Sequence, residues 1–249
     1  MRRHCVRLRQ HDKKHCGRRL LGSSLLFIAI DDAALLADNL AMWQGNLIVF
    51  EGIDGAGKAT QVKLLAKRLR KEGHTVTVFD FPDYSSEVGK IIGAMLRGRY
   101  GDPLAMSPYL VSILYSLDRA LAADKIRAAR KRGIVISNRY TSSVAYQGAK
   151  LAGRSREKLF RFVESLEFKD LSIPKPSLIL YLDISVEEAQ KHIVRKKKDR
   201  HERDASYQKK VAGVYRAMAR QKGWKIIRVA RNDAPEAVFA RVWDAVRKT

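Results

Sequence analysis

Beyond residue 45, short β-branched runs alternate with longer stretches of helical periodicity. Strands separated by helices argue for an α/β domain with a parallel sheet, because parallel neighbours need a long crossover that a helix usually supplies. Residues 46–51 hold an unbroken apolar run from Leu47 to Phe50, the pattern of a strand buried on both faces. A Gly-rich turn follows, then a helix over 58–72, a second strand at 75–80, and helical pattern at 86–97 and 107–131. The pattern places further strands at 134–137, 177–182 and 225–229, and a closing helix over 234–247. Ser185-Val-Glu-Glu188 reads as a capping box opening the helix after the fourth strand. No repeat or low-complexity linker interrupts the series, so 42–249 is expected to be one domain.

The first 41 residues do not follow this pattern. They hold both cysteines, Cys5 and Cys16, three of the six histidines and an Arg-rich start, followed by an apolar stretch at 20–30. A secretory signal fits the order basic then apolar, but its basic region would be long; an organelle transit peptide fits the scarcity of acids before Asp31. A zinc site lacks any CxxC or HxxxH pair. The reading adopted is a basic extension upstream of a working start at Met42.

Composition narrows the class. With 46% hydrophobic residues, 30% charged and 6 Pro in 249, the chain is neither collagen-like nor wholly disordered. It is long enough to bury a sizeable core without staples, and no apolar run approaches the ~20 residues of a membrane span. Cysteines confined to the first 16 residues give the rest no disulfide framework, and a reducing, cytoplasmic compartment is expected. The net charge of +23 favours anionic partners, and residues 42–249, with 41 Lys and Arg against 22 Asp and Glu, keep +19 of it.

The specific chemistry begins at Gly52-Ile53-Asp54-Gly55-Ala56-Gly57-Lys58, a GxxxxGK motif placed between a strand and a helix. Glycines let backbone amides curl around phosphate oxygens, the helix N-terminus adds partial positive charge, and Lys58 reaches the transferable phosphate. The next residue is Ala59, where a hydroxyl normally meets Mg²⁺. Thr60 lies ~100° further round the helix and is a poor substitute. The ATP site is therefore expected at 52–60, with Mg²⁺ held mainly by phosphates, water and a carboxylate such as Asp54.

The block Phe50-Glu51-Gly52-Ile53-Asp54 through Gln61 resembles the opening of the thymidylate kinases. Three further blocks stand in that family's order: Phe81-Pro82-Asp83-Tyr84, Leu114-Tyr115-Ser116-Leu117-Asp118-Arg119, and Asn138-Arg139-Tyr140 with Ala145-Tyr146-Gln147-Gly148 beyond it. A basic segment with Arg195, Arg200 and Arg203 sits where the family has its lid, at about 195–204. The resemblance covers essentially 46–249 and implies a P-loop NTPase-type three-layer fold, with a five-stranded parallel sheet flanked by helices. It implies ATP-dependent phosphorylation of dTMP to dTDP with Mg²⁺, a homodimer, and no stable nucleic-acid or membrane partner.

The resemblance also assigns roles. Tyr115 and Arg119, one helical turn apart, would stack on a base and bond its edge; the bland alternative is a core aromatic with a surface arginine. Arg139, at the C-terminal end of a strand, would grip the acceptor phosphate. Tyr146 would pack against the sugar, with Tyr84 and Gln147 also lining the acceptor. Asp54 would contact the sugar or support the metal-bound phosphates. Because the phosphate loop has no arginine, a lid arginine, Arg200 first, would neutralise the transferring group; about half of the lid charges would be solvated surface. Three departures stand out: Asn138 replaces an aspartate, Asp83 stands where an arginine would meet the acceptor phosphate, and the 140–146 spacing is one residue short. They leave open a related kinase with another acceptor (dUMP, UMP or a nucleoside) and a non-catalytic nucleotide- or nucleic-acid-binding protein.

Overall fold

The computed structural model describes residues 45–193 and 204–248. The first 41 residues and the expected lid arginines Arg195, Arg200 and Arg203 lie outside the described residues.

Five parallel strands form one sheet in the order β2-β3-β1-β4-β5, with β1 Leu47–Glu51, β2 Val76–Asp80, β3 Ile134–Asn138, β4 Leu178–Asp183 and β5 Lys225–Arg228. Each lies within a residue of its expected bounds. The central strand is buried on both faces by alternation. Leu47 and Val49 pack with Ala123, Ile126 and Ala129 on one side, while Ile48 and Phe50 join Leu65, Leu69, Val211 and Val242 on the other. Each such side chain contributes roughly 1.5–3 kcal/mol on burial, which is why an unbroken apolar run is stable only in this inner position.

The helices close both faces. Helix α1 (Lys58–Lys71) presents Val62, Leu65, Ala66 and Leu69 inward at 3- and 4-residue spacing and ends in Arg68, Arg70 and Lys71, whose charges suit its negative end. The Ser86 hydroxyl accepts from the Gly89 amide at 2.9 Å and caps α2 (Glu87–Leu96). Ser107 caps α3 (Pro108–Arg132), whose first residue is a proline that gives up no needed donor. Beyond β3 come a 3₁₀ turn at Thr141–Val144, the short α4 (Ala145–Gly148) and α5 (Gly153–Ser165), which runs into a π-helical turn at Leu166–Asp170. Then follow α6 (Val186–Ile193), α7 (Ala205–Gln221) and α8 (Pro235–Arg247). At α6 the capping box is half made: Ser185 Oγ accepts from the Glu188 amide at 3.1 Å, while the Glu188 carboxylate pairs with Lys191. Helices α5 and α7 had no counterpart in the pattern reading, although α5 carries an amphipathic face through Leu159 and Val163.

Candidate active site

The turn from β1 into α1 sets the site. Gly52 and Gly55 both have positive φ, and a Cβ on Gly55 would lie 2.2 Å from the Ala189 carbonyl of α6. The loop thus packs backbone against backbone, which only glycine permits. Lys58 opens α1 and is buried, its Nζ donating to the carbonyls of Gly52 at 2.9 Å and Ile53 at 2.8 Å. Burial, then the neighbouring Arg139 guanidinium, lower its ammonium to about 7; Asp54, Glu51 and Asp80 support the charge only in part.

Arg139 follows β3 with φ 65, an uncommon conformation for a non-glycine residue that turns its side chain into the cleft. Its guanidinium pairs with Asp54 and donates to the Tyr146 hydroxyl at 3.1 Å, lying 5.0 Å from that ring's centroid. The Tyr146 hydroxyl donates in turn to the second oxygen of Asp54 at 2.7 Å. Burial raises the Asp54 carboxyl, but Arg139 and Lys58 outweigh it and hold the group at about 2, so it is a carboxylate at any working pH. Beneath them Glu51 is fully buried. It accepts from the Tyr140 amide at 2.9 Å, Ser143 Oγ at 2.9 Å and Tyr215 Oη at 2.8 Å, and burial raises its carboxyl.

A cleft with about 610 Å³ of empty space, its mouth included, opens beside the loop at the C-terminal ends of the strands. Tyr84, Tyr115, Arg119, Arg139, Tyr146 and Gln147 all line it, together with Asp54 and Ser143. These are the six side chains expected to meet the acceptor, brought from β3 and its following turns, α3 and the segment after β2. Arg119 is no surface arginine: it is 3% exposed and held by a fully buried carboxylate, Glu167. Glu167 also accepts from Ser116 at 2.7 Å and from Thr141. The π-helical turn places Glu167 there, and pattern reading alone gave no sign of it. Gln147 is 2% exposed, and neither its Oε1 nor its Nε2 has a partner among the described residues. Each such group costs roughly 1–3 kcal/mol if it stays unpaired.

The thymidylate kinase family model matches residues 50–242. The chain belongs to the thymidylate kinase family. It is 38% identical over 189 residues to the thymidylate kinase of Mycobacterium tuberculosis, covering 72% of this chain and 87% of that one. With the human thymidylate kinase it shares 31% over 154 residues, 61% of this chain and 67% of that one. Its structure resembles that of the Candida albicans thymidylate kinase with a TM-score of 0.65 at 25% identity, over 82% of this chain and 92% of that chain. The P-loop NTPase-type fold implied by the sequence blocks is therefore borne out.

Two departures from the kinase pattern are hydrogen-bonded in the structure. The Asp83 carboxylate accepts from the amide and hydroxyl of Ser85 on an exposed turn. The Asn138 Nδ2 donates to Asp80 at 2.8 Å across β2 and β3, and its Oδ1 is buried without a partner among the described residues. Glu51, Ser143 and Tyr215 complete the support of the kinase site. Only Glu51, a charge ending an apolar strand, was visible as an anomaly in the sequence.

Proposed function

We propose that this kinase transfers the γ-phosphoryl of ATP to dTMP in the cleft between the phosphate loop and α3, giving ADP and dTDP. The observation that carries this is the convergence of Tyr84, Tyr115, Arg119, Arg139, Tyr146 and Gln147 on one cleft beside Lys58. The amides of 52–60 and Lys58 hold the ATP phosphates, the positive end of α1 adding to the field. Tyr115 stacks on the base. Arg119, a donor only, bonds a keto oxygen and disfavours an amino group at that edge, and Gln147 offers one donor and one acceptor to the same ring. Arg139 leaves Asp54 for the acceptor phosphate, and Tyr146 packs against the sugar. An oxygen of that phosphate, already anionic, attacks Pγ as the bond from Pγ to the bridging oxygen breaks and ADP leaves. No strong base is required. Of the lid arginines, Arg200 first neutralises the transferring group.

Mg²⁺, when bound with ATP, would supply positive charge to neutralise the phosphates during transfer. The residues present fit a hydrated ion better than a directly ligated one. Ala59 has no hydroxyl, both oxygens of Asp54 are taken by Arg139 and Tyr146, and Asn138 is neutral. The working domain starts at Met42, the compartment is the cytoplasm, and the kinase is a homodimer without a stable nucleic-acid or membrane partner. Among the described residues no helix is long and apolar enough to cross a membrane.

The test is ADP release from ATP and Mg²⁺ with dTMP, dUMP, UMP, dCMP, AMP and GMP offered separately. Turnover that prefers dTMP and is lost in Lys58→Ala is the expected result. Equal turnover of dCMP would overturn the assignment of Arg119 to a keto edge, and no turnover with measurable ATP binding would leave a nucleotide-binding protein.

A further inference from the structure

A hydrated Mg²⁺ is held in phosphoryl-transfer sites by one or two carboxylates acting on the ion or its waters. Three carboxylates stand at the C-terminal ends of β1 and β2 or on the loop between β1 and α1: Glu51, Asp54 and Asp80. Glu51 is enclosed and saturated by Tyr140, Ser143 and Tyr215, and Asp54 is bound through both oxygens. Asp80 differs from both. It ends β2 opposite Asn138 of β3 and is exposed; its Oδ1 accepts from Asn138 Nδ2 at 2.8 Å, and its Oδ2 accepts from nothing among the described residues. It nonetheless lies within the electrostatic reach of Lys58 and Arg139, the two cations of the centre.

Asn138 supplies the second observation. Its Nδ2 is committed to Asp80, which fixes the orientation of the amide, and its Oδ1 is then a buried acceptor without a donor among the described residues. Metal-bound water is a strong donor that suits both this oxygen and the free oxygen of Asp80. Ala59 and Asn138 remove the hydroxyl and the negative charge that would otherwise meet the ion from α1 and β3. A carboxylate one strand away restores the charge.

We propose that Asp80, oriented by Asn138, is the carboxylate that holds the hydrated Mg²⁺ of the bound nucleotide in this kinase. The proposal rests on the kinase reading of the same cleft. The pair would form an outer-sphere site, with Asp80 Oδ2 and Asn138 Oδ1 accepting from waters of the ion. The alternative is an ordinary side-chain pair between adjacent strands, which would give local stability and nothing for the ion.

The experiment is titration of Mn²⁺ into the ADP-loaded full-length protein, followed by loss of the free-ion electron paramagnetic resonance signal. Asp80→Asn keeps the size and the amide-to-amide bond; it is expected to weaken Mn²⁺ about tenfold, the usual scale for losing an outer-shell partner. ADP affinity without metal should stay within about twofold. In the exchange variant Asp80→Asn with Asn138→Asp, the charge returns one strand nearer to β1, and Mn²⁺ affinity is expected to recover to within about threefold. A loss in both variants, with metal-free ADP binding intact, still assigns the ion to position 80. Unchanged Mn²⁺ affinity in Asp80→Asn overturns the proposal. The kinase reading fails separately, if the unaltered protein shows no Mg²⁺-dependent transfer to dTMP.

Discussion

An ammonium enclosed by the phosphate loop and facing a guanidinium is poorly placed to keep its proton. Burial and then Arg139 bring Lys58 from 10.5 to about 7, so the unfolded chain binds the extra proton between those two values. Stability without nucleotide should therefore rise with pH across that window, by the sign of the linkage relation. A polyanion in the loop reverses the local field and draws the proton back. ADP binding at pH 8 is accordingly expected to take up roughly one proton, read by calorimetry in buffers of different ionisation enthalpy, and Lys58→Ala should bind with uptake near zero. Arg119 poses the opposite case, a buried cation fully matched by Glu167. Glu167→Gln leaves that charge uncompensated and should cost about 3 kcal/mol in urea unfolding. It should also raise KM for dTMP severalfold with KM for ATP unchanged, since only the acceptor end of the cleft depends on the orientation of Arg119. A stability loss with both KM values unmoved would reduce Glu167 to a structural partner.

The strands and the helix that leaves the phosphate loop were legible; the elements that shape the cleft were not, nor was α7, although its Val211, Val214 and Tyr215 pack in the core beside β1 and β4. The strand β1 and helix α1 follow from an apolar run, a glycine turn and inward positions at Val62, Leu65 and Leu69, because burial on a sheet imposes those spacings. The π-helical turn at Leu166–Asp170 has no pattern of its own: it is held by Glu167, whose partners Ser116, Arg119 and Thr141 come from distant segments. The same distinction separates two glycines of the loop. Gly55 and Gly57 have similar positive φ, 79 and 86, yet a Cβ on Gly55 meets the Ala189 carbonyl whereas one on Gly57 meets nothing within 4 Å. Gly57→Ala should cost about 1–2 kcal/mol of backbone strain. Gly55→Ala must in addition push the loop off α6, so urea unfolding should show a clearly larger loss and ADP affinity should fall at least tenfold. Equal losses would mean that α6 moves freely with the loop.

At the scale of the whole molecule, α3 serves three surroundings at once. Ala123, Ile126 and Ala129 pack on the sheet, Tyr115 and Arg119 face the cleft, and Leu110, Leu117 and Leu121 stand 53%, 41% and 63% exposed along a further stripe. Ile91 of α2 is 44% exposed as well. Leucines recurring at 7 and 4 residues on one helix form a continuous apolar seam, and a two-fold copy of the same seam is a self-complementary cover for it. Such a contact would clamp the helix that orients Tyr115 and Arg119, tying assembly to acceptor recognition. The protein is expected to sediment at about twice its 28.2 kDa chain mass. Leu117→Glu combined with Leu121→Glu should give monomers, because two carboxylates on each side of a two-fold seam face their own copies. Neither side chain lines the cleft, so the monomer should retain ATP binding while its KM for dTMP rises. Sedimentation of the unaltered protein as a monomer at tens of micromolar would remove the homodimer. A dimer that persists in the double variant would place the interface elsewhere on the surface.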